Sequence, residues 1–213
     1  MRIDPEEPSA QIALGKAWLA IGQTRGDRGD LAKARRILVN AKGVPEGERL
    51  LILGQVSLAE GNTGDAVQLL EQALSKGADP LRVRLSLAGA KYAAEDLPGV
   101  AEELQRAAAF APSDPALALS LGLMYSALDD PRRAAEEYLK AIQGIGLTVP
   151  PDEENGPVVL PEPYVPLPDD FDLNQTIRSA YRQTLSASND EDPTAAELKT
   201  LAESTSFVIA ATN

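Results

Sequence analysis

At 213 residues and 44% hydrophobic content the chain can bury a sizeable core, yet only 4% of it is aromatic. It has no cysteine and no histidine, which excludes disulfide frameworks, Cys/His zinc sites, thiol nucleophiles and histidine-based triads. The net charge of −12 sits in the tail: residues 1–148 carry 17 basic and 20 acidic side chains, residues 149–213 carry 3 and 12. With no basic stripe to neutralise phosphates, nucleic acid is not expected as a partner.

A 34-residue step runs through the middle of the chain. Gly54, Ala88 and Gly122 keep it, as do Leu53, Leu87 and Leu121, Ala66, Val100 and Ala134, Leu70, Leu104 and Tyr138, and Ala73, Ala107 and Ala141. A fixed period of this length signals helix-turn-helix units, each too small to bury its apolar face alone. The small residues let paired helices approach to about 8–9 Å, the close end of the usual interaxial range.

In chain order, Ile3-Asp4-Pro5 reads as the end of a preceding unit, because Pro5 stands to Gly15 as Pro112 stands to Gly122. In the first unit Leu14-Gly15 and Trp18 mark one helix, and Ala34, Leu38 and Ala41 mark its partner. Seven extra residues, about 23–29, separate them and read as an extended Gly-rich turn. The second unit predicts a helix over 48–60, a break at Gly61-Asn62-Thr63-Gly64, and a helix over 66–76 capped by Asp65 and closed by Gly77. Asp79-Pro80 opens the third unit, whose second helix spans 100–109. Pro112 to Pro115 opens the fourth, and Asp129-Asp130-Pro131 turns into a helix over 132–143.

Seven of the 16 prolines fall between Pro150 and Pro168 among acidic residues, the composition of an extended, semi-rigid linker. Beyond it, 172–186 and 193–206 read as two helices outside the period. Leu173, Ile177, Ala180, Tyr181 and Leu185 share one apolar face that calls for a partner. Residues 207–211 are apolar close to the terminus. With Ile3-Asp4-Pro5, this sets the expectation that the chain is a segment of a longer protein.

The pattern resembles the tetratricopeptide repeat family over about residues 3–145. Leu121-Gly122, Tyr125, Ala134, Tyr138 and Ala141 carry the resemblance most closely, with Leu53-Gly54, Ala66, Leu70, Ala73 and the closing Pro112 beside them. Departures are Val100 for Ala, Ser57 and Lys91 for the aromatic, and Ala88 for Gly. The Ala-rich, degenerate style resembles bacterial arrays. The resemblance implies an all-α fold, a right-handed α-solenoid of helix-turn-helix repeats, followed here by the Pro-rich linker and short C-terminal helices. The domains expected are an array over 1–148 (units about 8–46, 47–80, 81–114 and 115–148), an acidic linker over 149–170 and a helical segment over 171–213.

The resemblance also implies that the first helices line a concave groove for a protein or peptide partner. Helical spacing in the second unit puts Glu48, Leu51/Ile52, Gln55 and Leu58/Ala59 on one face. The in-phase residues are Lys16 and Leu19, then Arg82, Leu85, Gly89 and Tyr92, then Leu119, Leu123 and Ser126. Lys16, Arg82 and Tyr92 are the expected anchors, since Tyr and Arg tend to dominate binding energy. The plainer alternative makes some of these residues core, or covers them with the chain's own residues 171–213. The Lys/Asn clamp with which one subclass grips chaperone tails is not reproduced by Lys16, Gln55, Arg82 and Ser86.

Other motifs read as ordinary chemistry. Arg25-Gly26-Asp27-Arg28-Gly29-Asp30 holds two adhesion-type tripeptides, but Gly-Asp in a turn is common turn chemistry. Pro163-Tyr164-Val165-Pro166 lacks the basic flank of a proline-motif ligand and reads as linker. Asp152-Glu153-Glu154 and Asp190-Glu191-Asp192 lack the Gly and spaced Glu of a calcium loop. Asn174-Gln175-Thr176 is a glycosylation sequon that matters only in a eukaryotic secretory setting. No P-loop, dinucleotide fingerprint or nucleophile elbow occurs, so neither cofactor, metal nor catalysis is expected. No apolar run of about 18 residues predicts membrane insertion. No charged-then-apolar leader opens the chain, and cytoplasm and periplasm both stay open. The reading is a non-catalytic scaffold or adaptor of the kind that recurs in bacterial export and envelope assembly. The alternatives are a structural spacer, or the regulatory arm of an enzyme encoded outside the segment.

Overall fold

A computed structural model of the chain describes residues 7–144 and 162–166. Every regular element among them is a helix. In order they are α1 (Pro8–Arg25), α2 (Arg28–Asn40), α3 (Glu46–Ala59), α4 (Thr63–Ser75), α5 (Pro80–Ala93), α6 (Leu97–Ala108), α7 (Pro115–Ala127) and α8 (Pro131–Gly144). The chain divides into two compact units, Met1–Asp96 with α1–α5 and Leu97–Asn213 with α6–α8. The two C-terminal helices read from the sequence, and the linker apart from residues 162–166, lie outside the described residues.

The 34-residue step is visible in the backbone. After α3, α5 and α7 a left-handed residue follows, Gly61 (φ 84°), Glu95 (φ 59°) and Asp129 (φ 57°). Beyond each, an N–H donates to a carbonyl five residues earlier: Asn62 to Ser57 at 2.8 Å, Asp96 to Lys91 at 3.0 Å, Asp130 to Tyr125 at 2.9 Å. This closure satisfies carbonyls that a helix end leaves bare and reverses the chain. Gly61 takes the conformation freely, whereas Glu95 and Asp129 hold it at a cost of roughly 1–2 kcal/mol.

Helix starts are equally local. Asp79 Oδ1 accepts from the N–H groups of Leu81 (2.9 Å) and Arg82 (3.3 Å). Asp114 Oδ1 does the same for Ala116 (2.9 Å) and Leu117 (3.3 Å). Pro80 and Pro115 follow as first helical residues, where a missing N–H costs nothing. Two expectations are corrected. The Gly-rich insert is not an extended turn: α1 runs 18 residues and α2 starts at Arg28, so most of the insert is helical. Gly22 makes this feasible, since a Cβ there would lie 2.6 Å from Leu31 Cδ2. Asp65 is not the cap of α4, which begins at Thr63 and places Asp65 in its first turn, where a carboxylate favours the helix dipole.

The small-residue positions mark close approach. A Cβ on Gly15 would sit 2.7 Å from Leu38 Cδ2, on Gly54 2.8 Å from Leu70 Cγ, and on Gly122 2.5 Å from Tyr138 Cε1. Each is a first-helix glycine under the large residue of the second helix, as the period requires. In the first unit α3 packs on α1, α2, α4 and α5. One buried cluster joins Leu19, Leu31, Ala34, Leu38, Ile52, Leu53 and Val56. Another joins Leu50, Leu51, Leu70, Ala73, Ala78, Val83 and Leu87. In the second unit α7 packs on α6 and α8 and is buried at every residue from Ala116 to Tyr125.

Candidate functional site

The first helices of the first unit, α1, α3 and α5, share one edge through α3. Along it runs a polar ladder. Lys16 Nζ on α1 lies 2.7 Å from Glu48 Oε1 on α3. From α5, Arg82 Nη1 donates to both Glu48 oxygens, at 2.9 and 2.8 Å. Two turns along α3, Gln55 Nε2 donates to Ser86 Oγ at 3.0 Å, and Ser86 Oγ donates to the Arg82 carbonyl at 2.9 Å. Burial by itself would raise the Glu48 carboxyl. The hydrogen bonds and charges of Lys16 and Arg82 outweigh it and hold the group below the ordinary value of 4.5.

The ladder revises the expected anchors. Lys16 and Arg82 do not stand free for a ligand; both are engaged by Glu48, which leaves the trio one positive charge in surplus. Beyond the ladder, Leu58, Leu85, Gly89 and Tyr92 are half-buried. A Cβ on Gly89 would meet only Leu58 Cδ2, at 3.6 Å, so the backbone lies open there. Of the other residues read as groove-lining, Leu19, Ile52, Leu119 and Leu123 are core. Ser126 is exposed and shares a 2.9 Å hydrogen bond with the Tyr138 hydroxyl. Leu119, Leu123 and Ser126 belong to the second unit.

Several contacts were not read from the sequence. Lys33 Nζ stands 4.3 Å over the Trp18 ring, and the Arg133 guanidinium 4.6 Å over Tyr125. In both pairs the aromatic lies three residues after the close-approach glycine and the cation immediately before the early alanine (Lys33-Ala34, Arg133-Ala134). That double signature was legible. Where the aromatic is replaced by Ser57, the fully buried hydroxyl accepts from Arg35 Nη2 at 2.9 Å, and Arg35 also binds Glu60. The tandem Arg-Gly-Asp resolves as turn and helix start: Gly26 (φ 65°) turns the chain, and Asp27 Oδ1 accepts from Gly29 N–H at 2.7 Å.

The second unit holds a contact of another kind. Residues 162–166, read as linker, are seated on α7. Tyr164 N–H donates to Ser120 Oγ (2.8 Å), its hydroxyl donates to Asp114 Oδ2 (2.8 Å), and Val165 is 2% exposed.

Residues 57–124 match the family model of the tetratricopeptide repeat. Those residues carry the tetratricopeptide repeat pattern. No curated protein matches it in sequence. Two crystal structures of MamA are similar in fold. One is 18% identical with a TM-score of 0.55 over 92% of this chain and 90% of that one. The other is 20% identical with a TM-score of 0.54 over 86% and 91%. Tetratricopeptide arrays are typically non-catalytic interaction modules, and the match over residues 57–124 supports a protein-interaction scaffold in general. Among the described residues no helix is long and apolar enough to cross a membrane.

Proposed function

We propose that the chain is a non-catalytic adaptor that binds a peptide or partner segment along the face shared by α1, α3 and α5. The observation that carries this reading is the composition of that edge. Three first helices present a partly exposed polar ladder beside half-buried Leu58, Leu85 and Tyr92 and the open backbone at Gly89. Apolar anchors bounded by satisfied polar groups suit a partner whose side chains insert beside the ladder. A bacterial export or envelope assembly is the setting we favour, by analogy of fold alone.

The test is a crosslinking pull-down from source-cell lysate. The parent chain runs beside Leu58→Ala/Tyr92→Ala, which thins the anchors without touching Glu48, and beside a control, Arg36→Ala/Gln72→Ala, on exposed positions of α2 and α4. Arg82→Glu is avoided because it would set a second carboxylate against Glu48. A partner kept by parent and control and lost with the anchors supports the adaptor. Equal capture by all three moves binding to another face. Capture by none favours the second reading, a spacer or regulatory arm covered by its own chain, which the seating of Tyr164 and Val165 on α7 supports.

A further inference from the structure

The seat beneath residues 162–166 is built for reading a peptide. Ser120 is fully buried, and its hydroxyl proton goes to the Ala116 carbonyl at 2.7 Å. Its oxygen is therefore left as an acceptor, aimed at the Tyr164 N–H. Asp114 divides its carboxylate in the same way. Oδ1 caps α7 through Ala116 and Leu117, and Oδ2 takes the Tyr164 hydroxyl. In both residues one interaction holds the helix and the other reads the segment. Val165, next in the chain, is buried at 2% exposure. Pro163 and Pro166 flank the pair, which bends; they bring no N–H needing a partner, and their fixed φ lowers the cost of ordering the segment.

Two hydrogen bonds and one aliphatic side chain make a small contact. The segment is joined to α8 through residues 145–161, and a tether of that order supplies an effective concentration of about a millimolar. A contact too weak to matter between separate molecules is populated under those conditions, and a partner with more to offer can displace it.

We propose that α7 carries a peptide-binding site of its own. It selects a segment in which Tyr is followed by a β-branched aliphatic residue, and residues 162–166 occupy it in cis as a displaceable competitor. The Tyr hydroxyl and main-chain N–H supply the polar recognition, and the aliphatic residue supplies burial. Ligands of the site carry the same Tyr-Val chemistry.

The experiment uses the whole chain and a fluorescent peptide with the sequence of residues 160–168. In the chain, Val165→Asp puts a carboxylate in the seat and releases the segment while α1–α8 keep their core. Circular dichroism and the melting curve check this. The peptide is expected to bind the Val165→Asp chain at least about tenfold more tightly than the parent, whose own segment competes at about millimolar effective concentration. A Tyr164→Ala peptide should lose that binding. Adding Ser120→Ala to the released chain should weaken it, because alanine keeps the helix and removes the acceptor. In the otherwise native chain Ser120→Ala should speed exchange of the Tyr164 amide proton. Equal peptide affinity for the parent and Val165→Asp chains overturns the proposal, and so does no binding to either at millimolar peptide. The readout uses only this peptide and the seat on α7, so its failure is separable from failure of the lysate pull-down that tests the α1, α3 and α5 reading.

Discussion

α3 in the first unit and α7 in the second are the same helix of the repeat, 68 residues apart, and their edges are finished differently. Where α3 carries Glu48 and Gln55, α7 carries Ala116 and Leu123, both buried. Where α3 buries Ile52, α7 buries Ser120. The edge of α3 answers its own charges through Lys16, Arg82 and Ser86 and stays wet. The apolar edge of α7, with one acceptor set into it, is overlaid by the chain itself at Tyr164 and Val165. A repeat skeleton thus specifies where helices meet, and the lining residues decide whether a face is left to water or needs a cover.

The largest effect should come where the two helices meet their partners most tightly. Gly122→Leu drives atoms into the ring of Tyr138, which is fully buried and cannot swing away. A loss of about 3 kcal/mol is expected, the upper part of the range for overpacking. Gly54→Ala sets a single carbon 2.8 Å from Cγ of the fully buried Leu70 and should cost about 1–2 kcal/mol. Thermal melts of the two variants check the order, and an unchanged melt for Gly122→Leu would sink the packing register.

Tyr138 also separates the units by pH. Burial pushes its hydroxyl up to about 12, moderated by the Ser126 hydrogen bond. A pKa raised above its unfolded value of 10 means stability is complete below pH 10 and is lost as pH rises toward about 12. The span corresponds to about 2–3 kcal/mol. Tyr138→Phe should flatten that alkaline limb in urea titrations between pH 9 and 12, and an unaltered limb would refute the assignment.

Glu48 gives the opposite limb in the first unit. Its carboxyl is depressed, so its contribution is present above pH 4.5 and fades as pH falls through the lower folded value. Since the Lys16 and Arg82 side chains are 44% and 37% exposed, solvent screening limits the effect to about 1 kcal/mol or less. Glu48→Gln should leave a shallower acid slope below pH 4.5, measured by denaturant unfolding.

The smallest change tests the shared turn. Glu95→Gly relieves the left-handed strain that Gly61 does not have, at some loss to chain entropy, and should stabilise by about 0.5–1 kcal/mol. A lowered melting temperature would mean that the Glu95 side chain contributes more than its backbone costs.

Much of the helix pairing was legible because its causes are local. Aspartate caps, prolines at first helical positions and left-handed turn residues each act within a few residues. The facing of Gly54 by Leu70 and Gly122 by Tyr138 follows from the same spacing in two repeats. The site was less legible. Helical periodicity puts Leu19 and Ile52 on the same stripe as Lys16 and Gln55, but a stripe is wider than a groove. The neighbouring helix decided that the first two are core. The length of α1 was missed because Gly-rich composition reads as turn, whereas Gly22 is small so that Leu31 can pack against it.

By itself the sequence determined the helix pairs, their turns and the large-on-small packing, because these depend on hydrogen bonds and volumes repeated at a constant step. Tertiary structure alone decided that Glu48 engages both expected anchors, since each partner lies on a different helix. It alone decided that Tyr164 meets Asp114, 50 residues away. Contacts between distant segments that do not share the period leave no mark in it, and they form only when the helices have brought their partners within reach.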